Sequence, residues 1–484
     1  MAFLVESLNV SHAGANATAD NAGTKLLRKP GSDSLFCVYS DLEGNVIYAA
    51  SSSGDSWQRT LVASGHAWPA ICQDSAVKRW VVSYNRKDRR VEARCRTTTG
   101  QGWSQPRVVY TVAQGCTLSG SIALAGSGSG DPGNVACAYC AFPIREVQSG
   151  DNQVVVAKFS QVNVGLDTVV SGTQQSEVSS PTIAVEKVQG GDHLHVGWVA
   201  DGDIRYTMTA EVIDPGAWGE NIGWSWETPI NLSGTQAVSK EPCLGASESR
   251  IVMVWAEGSD IMAGERSTQA DYDSWQDTVR LTSSQTESRY PVVSVSDSTV
   301  IVWQEQRSAT DLDIVACIEY GDTFTVRNTA TKSSYPHVVF QNKPSGDTAI
   351  PYVHVVWCEE PEENYFEVAY EKLNLKQRSG QGGQQTGGEA ELIQPRLHAC
   401  APNPFTGATA ISYQFGQAGN VSLRVYDAAG RLVTTLKQGH EQPGIYAATW
   451  QGTDQRGRQV PNGIYFYRLD APGITAAKKA VLMR

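Results

Sequence analysis

Four acids recur at one spacing, two residues beyond an aromatic: Asp41 after Tyr39, Glu257 after Trp255, Glu305 after Trp303 and Glu359 after Trp357. A second acid is expected to open the third strand at Asp203, Asp260 and Asp313. Three aromatics, Trp68, Tyr290 and Tyr335, each stand directly before a proline. Carboxylates beside aromatic platforms suit sugar hydroxyls and rings, or a hard cation such as Ca2+. The same acids could equally bond their own loops or pair with arginine on a neighbouring element, and the spacing leaves both readings open. His193 and His195 lie two apart in "HLHVGW" and share a face of a strand, but no third ligand for a metal stands nearby. No Ser-His-Asp order, HExxH, P-loop or paired-Cys zinc spacing appears. No catalytic residue is therefore assigned.

The elements that carry these residues repeat. An aromatic closes a short valine-rich run in "FCVYSD", "WVVSYN", "ACAYCA", "LHVGWV", "IVMVWA", "VIVWQE" and "VHVVWC". The aligned aromatics are Tyr39, Tyr84, Tyr139, Trp198, Trp255, Trp303 and Trp357, at spacings of 45 to 59 residues. Before most of them stands a short strand opening at proline, as in "WPAICQ", "SPTIAV", "EPCLGA", "YPVVSV" and "YPHVVF". After them come a polar turn, a third strand such as "DIRYTMT", and a fourth that follows a Gly and a Trp or Phe. Four antiparallel strands repeated at this period predict a β-propeller, because one four-stranded sheet cannot bury both faces alone. Seven blades are expected, with six or eight as alternatives, since the third carries the insertion "GSGSGDPG". The opening "FLVESLNVS" resembles the fourth strand "ETPINLS", so the amino-terminal strand is expected to complete the last blade and remove its edge.

The propeller is expected over residues 1–376 and a flexible Gly/Gln-rich linker over 377–396. An immunoglobulin-like sandwich is expected over 397–484. Two of its turns share one formula, Asp427 to Gly430-Arg431 and Asp454 to Gly457-Arg458. Asp opens such a turn by bonding its own backbone, and Gly supplies the left-handed residue. "VPNGIYFYRL", residues 460 to 469, alternates as a strand.

The carboxyl-terminal stretch resembles two related bacterial families: the type A sorting domain of the type IX secretion system and the immunoglobulin-like domain of the flagellar hook-capping protein. The matching residues are Pro402-Asn403-Pro404-Phe405, Tyr426-Asp427, Gly430-Arg431, Gly463-Ile464-Tyr465 and the terminal Lys478-Lys479-Ala480-Val481. The first resemblance implies export across the outer membrane, with secretion machinery as a partner. The propeller resembles sialidase-like families with BNR repeats, whose Asp box reads Ser-x-Asp-x-Gly-x-x-Trp. Gly54 and Trp57 fit its last two marks, as do Gly100 and Trp103, and Gly321 and Phe324 fit loosely. Ala50 and Ser52, Arg96 and Thr98, and Cys317 and Glu319 stand where Ser and Asp belong. The family's Arg-Ile-Pro motif is absent. The resemblance thus implies the scaffold more than the hydrolase.

The net charge of −11 argues against nucleic acid or an anionic membrane as partner. No apolar run approaches about 18 residues, so no transmembrane segment is expected. "MAFLVESLNVSHAG" lacks a basic n-region, so an exported protein would have lost its signal before this numbering begins. Six of the ten Cys, Cys37, Cys95, Cys137, Cys140, Cys317 and Cys358, fall inside expected strands and read as small core residues. Cys137 and Cys140 form a CxxC whose side chains would point to opposite faces. The resulting expectation is a secreted or cell-surface propeller that binds a carbohydrate or a protein. A divergent sialidase-like glycoside hydrolase and a structural surface or appendage component are the alternatives.

Overall fold

The computed structural model describes residues 24–374 and 396–483, apart from short stretches at 30–31, 42, 55, 97–101, 128–136, 170–177, 215–222, 277, 283–285, 297, 309–310, 321–322, 328–330, 344–349, 363–364, 398–399, 401–404, 416–418, 442–443 and 473. The expected amino-terminal closing strand, nearly all of the linker, Gly100, Gly321 and Pro402-Asn403-Pro404 lie outside the described residues. The described residues contain strands and no helix, and therefore no helix long and apolar enough to cross a membrane. They fall into two compact bodies, one ending at Asn374 and one beginning at Arg396.

The larger body is a propeller. Its strands form successive up-and-down antiparallel sheets, numbered here as blades 1 to 7: 26–63, 66–111, 116–169, 178–231, 239–280, 288–327 and 332–374. Blades 6 and 7 are joined into one sheet by a single parallel bridge, Leu312 to Lys332. Blade 3 gains an extra short strand, Cys116–Leu118, and blade 7 shows three strands among the described residues.

Each sheet is apolar on both faces, and each face meets a neighbour. Val252, Val254 and Ala263 of blade 5 pack against Val293, Ile301, Trp303 and Val315 of blade 6. Similar cores join the other consecutive blades. The last joins blade 7 to blade 1: Val356, Val368 and Tyr370 pack on Leu26, Cys37, Tyr39 and Ala49. Among the described residues the ring is therefore closed by side-chain packing. First strands of neighbouring blades approach one another, and Ile71 N–H donates to Thr24 O at 2.8 Å, which places these strands around the axis.

The repeated aromatic faces the preceding blade in five cases: Tyr39, Trp198, Trp255, Trp303 and Trp357, all buried. Two assignments need correction. In blades 4 to 7 the first strand carries a bulge, and its X-Pro pair stands opposite the Trp. In blade 2 the residue opposite the bulge is Ser83, because Ala67 pairs with Tyr84 and Ala70 with Val82. Tyr84 is thus one residue off; it turns to the other face and stacks on Trp68 at 5.8 Å. In blade 3 Tyr139 faces blade 4 and donates to Asp192 at 3.0 Å, while Phe142 turns to blade 2. A period of two makes any odd offset reverse a side chain.

Gly54, Trp57 and Trp103 of the degenerate Asp boxes have a structural role. Trp57 and Trp103 pack their rings against a tyrosine of the preceding blade, Tyr370 and Tyr48, as Trp224 and Trp275 of blades 4 and 5 do against Tyr139 and Tyr206. Gly54 has φ +91°, and a Cβ there would lie 2.5 Å from the Tyr370 hydroxyl. All ten cysteines are free thiols, and Cys137 and Cys140 point into opposite inter-blade cores.

The smaller body is an immunoglobulin-like sandwich. A three-stranded sheet (Arg396–Leu397, Thr409–Phe415, Gly444–Trp450) faces a four-stranded one (Leu432–Glu441, Gly419–Asp427, Gly463–Ala471, Ile474–Leu482). In the strand Gly463–Ala471, Tyr465, Tyr467 and Leu469 point into the core, and Ile464, Phe466 and Arg468 point out. Tyr465 Oη donates to Pro461 O at 2.6 Å, fixing the corner before this strand. Phe405 is buried beside Trp450. The two Asp turns are alike: Asp427 Oδ1 accepts from Ala429 and Arg431 N–H at 3.0 and 2.9 Å, and Asp454 Oδ1 from Arg456 and Arg458 N–H at 2.9 and 3.0 Å. Gly430 and Gly457 follow at φ +77° and +74°. These bonds hold both carboxyls below the usual carboxylate range, backbone donation being the main cause.

Candidate functional site

On the ring face that carries the second turns and the blade-to-blade connections, a shallow cleft of about 480 Å³ opens between blades 5 and 6. Gly258 and Ser259 come from the second turn of blade 5, and Thr286 and Glu287 from the connection into blade 6. Gln306, Arg307 and Ser308 end the second strand of blade 6. Gly258 has φ +61°, a value glycine adopts at least cost.

The charges around this cleft are already paired. Arg307 donates to Glu305 at 2.6 Å and to Asp313 at 2.8 Å. Burial alone would lower the pKa of its guanidinium, and the bond to Asp313 with the charge of Glu305 raises it instead. Arg289 donates to Glu287 at 2.8 Å and grips the Glu241 carboxylate through Nε at 3.0 Å and through Nη2. Glu241 pushes the Arg289 pKa up, chiefly by hydrogen bonding. The Arg289 guanidinium lies 5.2 Å from the Tyr290 ring centre, and Tyr290 meets Tyr335 edge to face at 4.5 Å. A continuous chain of contacts thus runs from Glu287 in the cleft to the Tyr290–Tyr335 pair.

Backbone geometry explains how those aromatics are aimed. Trp68, Ser180, Glu241, Tyr290 and Tyr335 all precede the proline of a first-strand bulge, and all have φ between +48° and +57°. Five non-glycine residues therefore adopt the left-handed region, at about 1–2 kcal/mol each. The bulge frees the N–H of the left-handed residue from the ladder. For Tyr290 the Glu241 side chain of blade 5 accepts it at 2.7 Å, and for Tyr335 Gln304 of blade 6 accepts it at 3.1 Å.

The repeated acids serve mainly as braces. The indole N–H of Trp255 donates to Glu257 at 3.1 Å, that of Trp303 to Glu305 at 3.3 Å, and that of Trp357 to Glu359. Ser239 and Ser333 donate to the same carboxylates in blades 5 and 7, at 3.2 and 3.0 Å. Asp260 holds Arg280 and Thr282, and Asp203 holds Arg205 and Asn231. Asp41 accepts from Glu43 and Asn45 N–H, closing its own hairpin. Asp203 and Asp260 open their third strands, while Asp313 is the third residue of Asp311–Ile318. The ten expected residues do not converge on one point. Glu305, Asp313, Tyr290 and Tyr335 lie at the cleft or along its chain of contacts, and Trp68 pairs with Tyr84 instead.

The sequence reading missed Gln306, Arg307 and Ser308. They follow Glu305 directly, but nothing in "EQRS" marks it as cleft lining. His193 and His195 bond to groups within their own blade. His195 is buried between Tyr206 at 2.8 Å and Glu186 at 3.0 Å, and His193 lies 3.1 Å from Thr209 O. Among the described residues no group of three His, Cys, Asp or Glu side chains could hold a metal ion.

Residues 402–472 match the FlgD Ig-like domain. No curated protein sequence matches the chain. Among solved structures, the chain is similar to the Aleuria aurantia lectin in complex with α-methyl-L-fucoside, at 11% identity over 66% of this chain and 96% of that one, TM-score 0.44. It is similar to the α-L-arabinofuranosidase Arb93A of Fusarium graminearum at 9% identity over 64% and 94%, TM-score 0.42. It is similar to the NanB sialidase of Streptococcus pneumoniae at 8% identity over 76% and 70%, TM-score 0.40.

Proposed function

We propose that the propeller is a carbohydrate-binding domain that takes its ligand on the second-turn face, in the cleft between blades 5 and 6. The observation that carries this reading is the union of a hydroxyl- and amide-lined cleft with an adjoining pair of aromatic rings. Ser259, Thr286, Gln306 and Ser308 suit the hydroxyls of a sugar, and Tyr290 and Tyr335 suit its apolar faces. Hydrolysis is less well supported. Glycosidases place two carboxyl groups across the scissile bond, whereas Glu305 and Asp313 are buried and occupied by Arg307. A glycan array probed with the full chain tests the reading. Ser259→Trp, which fills the cleft from an exposed turn, should weaken any hit at least about tenfold, equal to 1.4 kcal/mol. Unchanged affinity would place the ligand elsewhere.

We further infer that the protein is secreted or held at the cell surface, with its FlgD Ig-like module read by export machinery. The support is the match over residues 402–472 together with the terminal Lys478-Lys479-Ala480-Val481. Removal of residues 397–484 should leave the propeller folded and retained inside the producing cell. Recovery of the truncated protein from the medium would refute the export role.

A further inference from the structure

Charge is divided unevenly along this chain. Residues 66–111, which contain blade 2, carry nine Arg and Lys against three Asp and Glu, a net +6 in a chain of −11. The excess gathers at the second turn of that blade, "NRKDRR", residues 85 to 90. Arg86, Lys87, Asp88, Arg89 and Arg90 are all exposed. Asp88 accepts from Asn85 at 3.0 Å and in return leaves no cation neutralised. Arg89, at φ +56°, turns back and donates to Ala113 O at 2.9 Å and to Cys116 O, stapling the turn to the connection into blade 3. Arg86, Lys87 and Arg90 make no ion pair among the described residues. In contrast, Arg289 and Arg307 of the cleft are each gripped by two carboxylates.

The turn grows directly from Tyr84, whose ring stacks on Trp68 at 5.8 Å with 23° between the planes. Trp68 is the left-handed bulge residue of this blade. Blade 2 therefore sets a half-buried aromatic stack beside three uncommitted cations, on the same ring face as the cleft. We propose that this surface binds an anionic polysaccharide, a chain with uronate carboxylates or sulfate esters. Arg86, Lys87 and Arg90 meet the anionic groups, and the Trp68–Tyr84 stack meets a sugar ring. Nucleic acid carries a charge every ~1.7 Å of duplex axis, and the net −17 of the chain outside 66–111 opposes so dense a polyanion. A polysaccharide with about one charge per sugar is a sparser polyanion and needs only this one turn. The site is distinct from the cleft between blades 5 and 6 and stands or falls apart from it.

Titration calorimetry of the full chain with an oligo-uronide and a heparin-type oligosaccharide tests the proposal, with a neutral dextran and a single-stranded oligonucleotide alongside. At least one anionic glycan should bind at low ionic strength and weaken steeply with salt, as exposed charge contacts do. Arg86→Ser, Lys87→Ser and Arg90→Ser together should lower that affinity at least about thirtyfold, while Arg86→Lys with Arg90→Lys should keep most of it. All three side chains are exposed, so the thermal melt should not move; should it move, Lys87→Glu alone supplies the reading. Failure of both anionic glycans to bind the folded wild-type chain overturns the site. Equal binding by the serine variant also overturns it. An oligonucleotide bound more tightly than either glycan overturns the ligand class.

Discussion

Replacing Trp303 and Tyr84 by alanine, one at a time, tests the blade register. Trp303 is fully buried between blades 5 and 6, with its N–H on Glu305 at 3.3 Å. A large aromatic buries about 150–250 Å², which at ~25 cal/mol per Å² is worth about 4–6 kcal/mol as an upper bound. Truncation of such a side chain costs about 3–5 kcal/mol. Glu305 would keep its bond to Arg307 at 2.6 Å, so no uncompensated charge adds to this. Tyr84 is half-buried and gains mainly from stacking on Trp68. Its removal should cost roughly half as much, about 1.5–2.5 kcal/mol. The gap of about 2 kcal/mol corresponds to roughly thirtyfold in the folding equilibrium. Urea unfolding of the full chain, followed by near-ultraviolet circular dichroism, measures both. A Tyr84→Ala penalty equal to that of Trp303→Ala would mean that Tyr84 holds the Trp position after all, and the bulge pairing of Ala67 and Ala70 would be wrong.

Two further outcomes are expected. His354 is buried 2.8 Å from Tyr370 Oη, and burial, then the charges of Lys372 and Arg28, lower its pKa from 6.5 to about 3. Above pH 6.5 the imidazole is neutral in both states and pH has no leverage through it. Below that the unfolded chain alone takes the proton, so stability falls by about 1.4 kcal/mol per pH unit, reaching ~2 kcal/mol at pH 5. Urea midpoints at pH 7.5 and 5.0 should fall less in His354→Gln than in the wild type; equal falls would show that the folded state protonates. Gly54→Ala should lower the thermal midpoint, because φ +91° and a 2.5 Å approach to the Tyr370 hydroxyl both oppose a methyl group. An unchanged melt would mean that the turn relaxes and that Trp57 does not depend on it.

The ring was legible because valine-rich strands ending in Trp recur and because such sheets must cover each other. The side on which each aromatic falls was not. It depends on where the X-Pro bulge sits, and letters do not display pairing: Ser83, in the Trp position, looks like any strand serine, while Tyr84 beside it looks like the motif. The acids after Trp255, Trp303 and Trp357 were visible, but their spacing serves an indole N–H as well as it would serve a ligand. Arg307 was hidden for another reason, since an arginine after a strand is ordinary until Glu305 and Asp313 are seen to flank it. "NRKDRR" stood in plain letters, but a charge summed over the whole chain concealed a local surplus. In the sandwich, Asp427 and Asp454 were legible because their turns are local and need no partner from elsewhere in the chain.

The left-handed residues have a bearing on how independent the blades are. The amide of Tyr290, released by its own bulge, is held by Glu241 of blade 5, and the amide of Tyr335 by Gln304 of blade 6. A blade cut out and grafted into another ring would arrive with an orphaned donor and a backbone angle that its own sequence does not repay. Repetition here does not amount to interchangeability. Hydrogen exchange at Tyr290 reports the opening of blade 5 as much as that of blade 6, so protection around the axis should be shared between neighbours, and fraying of one blade should propagate to the next.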